Sequence, residues 1–383
     1  MAEAAWGASG LAWLTGAPDG RPDFSRAAVL QRAGQLVDRL DLGVDAASLL
    51  AGRAALRGFT RAGRVSPGGA SRLLPAVDGW WALTLSRPDD LDAVPALIET
   101  DCPGEPWAAI AAWAADQPVA DVVGRARLLD LPAAGLGETA AAPPLIRRVG
   151  PAGPSRGPGG ALVVDLTSLW AGPLCGQLLA QAGATVVKVE SPSRPDGTRA
   201  GDRAFFDWMN TGKLSCAIDF DHDAVFLAQL LAAADVVLEG SRPAALARRG
   251  LGPLDVTGRP GRVWLQITGH GGFPGFGDDA AVGGGLVGFD GAGDPVFCGD
   301  AIADPLTGIE AAVAVFEALA RGGGELIAFS LATVAAGYAA LPLQPPGEHP
   351  ASPPGRPRIE GRGPRLGADN ARVGELVQAA SRC

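Results

Sequence analysis

Ala161-Leu-Val-Val-Asp-Leu166 and Thr185-Val-Val-Lys-Val-Glu190 are apolar runs of strand length, and the segment between them, Gly172 to Ala182, carries a helical pattern. Strand, helix and strand at this spacing predict a βαβ unit, hence a parallel sheet with a right-handed crossover. The turn after the first run, Leu169-Trp-Ala-Gly-Pro173, has no G-x-G-x-x-G pattern, so the usual dinucleotide fingerprint is missing. The stretch closes near Phe220 with Asn210-Thr-Gly-Lys213, placed just before a further strand, Leu214 to Asp219.

The alternation continues downstream. A helix capped by Asp221 or Asp223 runs through Ala234, Asp235-Val-Val-Leu-Glu239 is a strand, Ala244 to Gly250 a short helix, and Arg262 to Thr268 another strand. A glycine-rich stretch precedes a helix over Thr307 to Arg321 and a strand over Glu325 to Leu331. Strands apolar on both faces fit a parallel sheet covered by helices. The expected fold is α/β, a doubly wound, Rossmann-like core with a smaller α+β domain.

Upstream, Phe24 to Leu56 reads as helices, with Asp45 as N-cap. Ser66-Pro-Gly-Gly and Asp78-Gly-Trp-Trp-Ala-Leu-Thr-Leu85 predict a turn and a short strand pair, followed by amphipathic helices. The Pro- and Gly-rich segment before the core is the natural linker. The expected organisation is a helical segment over 1–65, a small α+β domain over 66–140, a linker over 141–160, the α/β core over 161–343, and a loop with a C-terminal helix over 344–383. One internal echo stands out: Gly10-Leu-Ala-Trp-Leu-Thr-Gly-Ala-Pro-Asp19 parallels Gly285-Leu-Val-Gly-Phe-Asp-Gly-Ala-Gly-Asp294.

A net charge of −9 over 383 residues argues against a nucleic-acid surface, so any phosphate-bearing ligand must be met by local arginines. Five cysteines with no C-x-x-C point to a reducing compartment and no metal site, and Met1-Ala-Glu-Ala-Ala-Trp6 lacks a signal-peptide pattern. A cytoplasmic location is expected. Leu326 to Leu343 carries no charge, but a strand followed by a buried helix explains it better than a membrane span.

Leu169-Trp-Ala-Gly-Pro173 into Gly183-Ala-Thr-Val-Val-Lys-Val-Glu190, then Phe205-Phe206, Asn210-x-x-Lys213 and Ala234-Asp-Val-Val-Leu-Glu239, resemble the family III CoA-transferases, a family that includes the 2-methylacyl-CoA racemases. The resemblance runs along roughly 161–331. The Asp78-Gly-aromatic region resembles the family's small domain, moved ahead of the core, as if the family's parts were permuted after a tandem copy lost its outer halves. Locally, Asp304 before Pro305 reads as a helix N-cap. By resemblance, Gly299 and Asp304-x-x-x-Gly308 match the family's catalytic motif, and a helix dipole would keep that carboxylate ionised.

The activity implied is an acyl-CoA:carboxylate CoA transfer through an aspartyl-CoA thioester on Asp304, with no metal or redox cofactor and coenzyme A thioester as substrate. The implied partners are an acyl-CoA and an acceptor acid, with no nucleic acid, no membrane, and a second copy of the chain in a homodimer. Leu169, Trp170, Ala171, Lys213, Arg248 and Arg249 match family CoA contacts, and Gly240, Ser241 and Thr268 fall at strand ends where open α/β sheets bind ligands. Lys213 also reads as a solvated turn lysine, and the arginines as a helix C-terminus. Gly283-Gly-Gly285 and Gly299 are candidates for close backbone approach. Gly240-Ser241 stands where the family commonly has Asn-aromatic, and His270 where an aromatic is usual. Two alternatives stay open: a racemase pairing Asp304 with His270, since Gly277-Asp278-Asp279 holds no histidine, and a non-catalytic CoA-binding protein.

Overall fold

The computed structural model describes residues 1–101, 104–240, 245–345 and 349–380. A small antiparallel sheet comes first, from β1 (Ser71–Ala76), β2 (Gly79–Thr84) and β3 (Ala133–Gly135). The large sheet takes β4 (Leu145–Arg148), β5 (Leu162–Leu166), β6 (Thr185–Glu190), β7 (Leu214–Ala217), β8 (Val236–Glu239) and β9 (Val263–Thr268). A hairpin of β10 (Val287–Phe289) and β11 (Pro295–Phe297) intervenes before β12 (Glu325–Ser330) completes the large sheet.

The large sheet has the order β4-β12-β9-β8-β5-β6-β7, parallel throughout except for β4. The order reverses between β5 and β8, which creates the crevice at strand C-termini where doubly wound sheets take ligands. Helices cover both faces. Leu174, Leu178, Leu306, Ile309 and Val315 pack on one side, and Leu227, Leu230, Leu231, Val373 and Val377 on the other. Central strands buried on both faces explain why their sequences run apolar without alternation.

Two expectations change. The segment read as a linker contributes β4, whose Leu145–Arg148 pairs antiparallel with Ala328–Glu325, because the edge of β12 offers unpaired backbone groups. The glycine-rich stretch after β9 contains a helix, Gly277–Gly283, every residue of which is buried. Its glycines are there for contact. A Cβ on the following Gly284 would lie 2.5 Å from the Ala336 nitrogen in the helix Leu331–Ala339. That helix follows β12 directly, so the uncharged run Leu326 to Leu343 is a strand and a helix of the core. Among the described residues no helix is long and apolar enough to cross a membrane.

The N-terminal segment is built into the core. The helix Ala46–Arg57 is capped as expected, Asp45 accepting from the Ser48 N–H at 2.9 Å. Arg26 is buried and donates to the carbonyls of Val287, Ala339 and Gly285 at 2.8, 2.9 and 3.0 Å. The two echoing segments meet where a Cβ on Gly288 would lie 2.4 Å from the Thr15 side chain, and bonds beside them reinforce the contact: the Gly299 N–H donates to Thr15 Oγ1 at 3.0 Å, and the Phe289 N–H to Asp23 at 3.2 Å.

Candidate active site

Asp304 lies on the helix Ala303–Ala320, one turn before Gly308. A Cβ on Gly308 would sit 2.7 Å from the Ala171 carbonyl oxygen and 3.0 Å from Leu174. Only glycine lets this helix press on the start of the helix Ala171–Gln181, and that contact brings Asp304 to the first βα turn of the large sheet. The D-x-x-x-G spacing is therefore a packing requirement as much as a chemical one.

The cap expectation is corrected. Ile302 is the N-cap, Asp304 is the second residue of the helix, and its carboxylate turns away from its own backbone to accept from the Gly277 N–H at 3.1 Å. The turn that delivers it holds two residues at positive φ, Gly299 at 66° and Ala301 at 43°. A left-handed alanine is strained, and it is held here by its N–H, which donates to Asp278 at 2.9 Å.

Four aspartates converge. Asp278, Asp279 and Asp300 are buried, whereas Asp304 keeps a partly open face. Burial pushes the Asp304 carboxyl up to about 7; the Asp278 and Asp279 charges add to the rise, and Arg53 and the Gly277 N–H oppose it. Desolvation outweighs the helix dipole, so the expectation of a carboxylate held ionised by that dipole fails. Asp278 is pushed up to about 6, by burial and then by Asp300.

The small sheet props this cluster. Ser71 Oγ donates to Asp278 at 3.1 Å, and Thr84 Oγ1 donates to Asp279 at 2.8 Å. His270 is buried with Nε2 2.7 Å from Asp279 Oδ2, on the far side of Asp279 from Thr84. Its Nδ1 has no hydrogen-bond partner among the described residues.

Gly277 has no room for a side chain. A Cβ there would fall 2.2 Å from the Ala301 carbonyl oxygen and 2.5 Å from Asp304 Oδ2. Gly277→Ala is expected to cost about 1–3 kcal/mol by overpacking, read as a lower urea midpoint at unchanged slope.

The other expected contacts divide. Leu169, Trp170, Ala171 and Gly240 gather at the crevice, where the Thr167 side chain lies 3.4 Å from the position of a Cβ on Gly240. Leu169 is left-handed at φ 71° and its N–H donates to Asp196 at 3.2 Å, a second strained non-glycine turn beside the site. Thr268 ends β9 with its hydroxyl donating to the Phe329 carbonyl at 3.1 Å. Arg248 and Arg249 are exposed on a single 3-10 turn, Arg249 paired with Asp221 at 2.7 Å. Ser241 lies outside the described residues.

Lys213 is not a solvated turn residue. It is fully buried, its ammonium 2.9 Å from Asp165 Oδ2 and 2.9 Å from the Pro173 carbonyl. Burial and the neighbouring Lys188 lower its affinity for a proton against the pull of Asp165.

CoA-transferase family III matches residues 159–360, just over half of the 383-residue chain and all of the elements that carry Asp304. The chain belongs to CoA-transferase family III. Family relatives include a succinate–glutarate CoA-transferase of Agrobacterium fabrum, 32% identical over an alignment of 212 residues that covers 47% of this chain and 53% of the relative. A succinyl-CoA–D-citramalate CoA-transferase of Chloroflexus aurantiacus is 29% identical over 43% of this chain and 46% of its own length. A crystal structure of a hypothetical protein (Rv3272) from Mycobacterium tuberculosis is 31% identical, with a TM-score of 0.44 over 48% of this chain and 56% of that one. The chain thus spans about half the length of the curated relatives it matches.

Arg53, Ser71 and Thr84 lie before residue 159, outside the family match. Their contacts with the family III motif join residues up to 247 positions apart, and no local pattern announces them.

Proposed function

We propose that this family III protein is an acyl-CoA:carboxylate CoA-transferase with Asp304 as its nucleophile. The observation that carries the reading is that Asp304 alone of the four clustered aspartates keeps an open face, beside the first βα turn. A carboxylate oxygen of Asp304 attacks the thioester carbonyl of a bound acyl-CoA, and the C–S bond breaks to give a mixed anhydride and CoA thiolate. The thiolate attacks the aspartyl carbonyl, releasing the donor acid as its carboxylate and leaving an aspartyl-CoA thioester. The acceptor carboxylate repeats the two steps in reverse, so charge balances without an external base. Holding the partners at near-attack distance supplies about 7–11 kcal/mol of the barrier. Relatives named for succinate, glutarate and citramalate support a dicarboxylate acceptor class.

Intact mass after incubation with a panel of acyl-CoAs tests the reading. A CoA-sized adduct removable by hydroxylamine supports it. No adduct from any donor, with α-proton exchange in deuterium oxide in the absence of acceptor, would overturn it in favour of the racemase.

The pH dependence follows from the site. Only the ionised carboxylate attacks, so adduct formation should rise with pH through about 7 and level off above it. Asp278 titrates nearby, near 6, so the inflection belongs to the pair. Single-turnover rates from pH 5 to 9 check this, and a flat profile would contradict it.

A further inference from the structure

We propose that Arg53, delivered by the helix Ala46–Arg57 from outside the family match, is a positioning residue for Asp304: it fixes the turn that presents the nucleophile and brings a positive charge to that turn. The consequence for catalysis rests on the transferase reading; the bracing of the turn rests on geometry alone.

Arg53 grips Asp300 with a two-pronged contact, Nε to Oδ2 at 2.8 Å and Nη2 to Oδ1 at 2.6 Å. Asp300 is fully buried and lies four residues before Asp304, in the strained turn with Gly299 and Ala301. The planar guanidinium matches a carboxylate in two places at once, which fixes orientation as well as distance. The same guanidinium lies over the Trp170 ring, 5.1 Å from its centroid, and 5.9 Å from that of Phe205. Those rings meet edge to face at 5.4 Å, so the arginine is held in an aromatic cradle made by Trp170 of the first βα turn and Phe205 of the helix Arg203–Asn210. One side chain thus ties the N-terminal segment, the substrate crevice and the nucleophile's turn together.

The charges facing Asp304 are the carboxylates of Asp278 and Asp279 from the helix Gly277–Gly283, and Arg53. Asp300, on the turn, faces Asp278 and Arg53. His270 bonds to Asp279. Arg53 stays charged: burial alone would lower its proton affinity, but the charge and hydrogen bonds of Asp300 raise it beyond its usual value. Without that cation, ionising Asp304 beside the carboxylates of Asp278 and Asp279 becomes harder.

Arg53→Gln alone strands the buried Asp300 carboxylate, so the test uses the pair Arg53→Gln/Asp300→Asn, with Arg53→Lys as the charge-conserving variant. Carbon-13 NMR of aspartate-labelled protein gives the Asp304 titration, assigned by its loss in Asp304→Asn. The Asp304 midpoint should rise by at least about one unit in the paired variant, a roughly tenfold smaller carboxylate fraction below it, and return toward the native value in Arg53→Lys. The pH profile of adduct formation should move by the same amount. An unmoved midpoint in a folded paired variant overturns the proposal. Absence of any adduct in the native protein would count against the transferase reading alone, because the NMR titration needs no substrate.

Discussion

Asp304→Asn is expected to abolish the hydroxylamine-labile CoA adduct and to lower turnover by on the order of a thousandfold or more, because Asp278, Asp279 and Asp300 beside it are buried and cannot replace the attacking oxygen. The same substitution should raise the melting temperature near neutral pH. The native Asp304 carboxyl, held at about 7 against a reference of 3.8, keeps a proton that the unfolded chain has already released. Its contribution to stability is full below about pH 4, is lost as pH rises through about 7, and is flat above that. Asparagine fills the same volume with no charge to bury, so the gain over the native protein should grow between those two pH values. Thermal melts of both proteins at pH 5 and pH 8 give the comparison. A variant that still forms the adduct would remove Asp304 as nucleophile. A variant that loses activity and also melts lower at pH 8 would point to a structural carboxylate instead.

Lys213→Met is expected to destabilise the fold by about 3–5 kcal/mol, because it leaves Asp165 buried with its nearest counter-ion gone. Asp165 is fully buried, and its carboxylate is held below the usual range by Lys213, Lys188 and Thr167 despite burial. Lys188, also fully buried, pairs with Asp196 at 2.8 Å and donates to the Thr167 carbonyl at 2.9 Å. Asp196 in turn accepts from the Leu169 N–H. This buried network stands directly under the strained turn at the mouth of the crevice, so losing Lys213 should loosen Leu169–Ala171 as well. Urea unfolding measures the stability loss. The double variant Asp165→Asn/Lys213→Met should cost less than the sum of the two single changes, as expected for groups in one network. Unchanged stability with weakened CoA binding would instead make Lys213 a ligand contact.

Arg26, Thr15 and Arg53 are set deep in the molecule, so the first sixty or so residues are not an appendage to the family III core. Arg26 holds three carbonyls of the hairpin region and the helix after β12, Thr15 holds Gly299, and Arg53 holds Asp300. Ser71 and Thr84 do the same for Asp278 and Asp279 from the small sheet. The Gly299–Ala301 turn and the helix Gly277–Gly283 beside Asp304 are both braced by residues from the first 84 positions.

What the chain determined by itself was the part that depends on short-range pattern. Doubly apolar runs at 162–166, 185–190 and 236–239, separated by helical segments, leave a parallel sheet as the one way to bury both faces, and that sheet is present. Asp304-x-x-x-Gly308 was picked out only by the family resemblance, since its local pattern reads as an ordinary helix cap. Tertiary structure alone decided the charge state of the site and its partners. Asp304 was expected to be ionised at a helix start, but burial raises its pKa, with Asp278 and Asp279 adding to the rise and Arg53 opposing it from two other elements. Lys213 was matched by resemblance to a CoA contact, with a solvated turn lysine as the other reading, yet the fold closes the helix Ala171–Gln181 over it and leaves Asp165 as its counter-ion. Local sequence sets backbone preference and apolar period; burial and long-range pairing, which fix electrostatics, come from which distant segments the packed chain brings within a few ångströms.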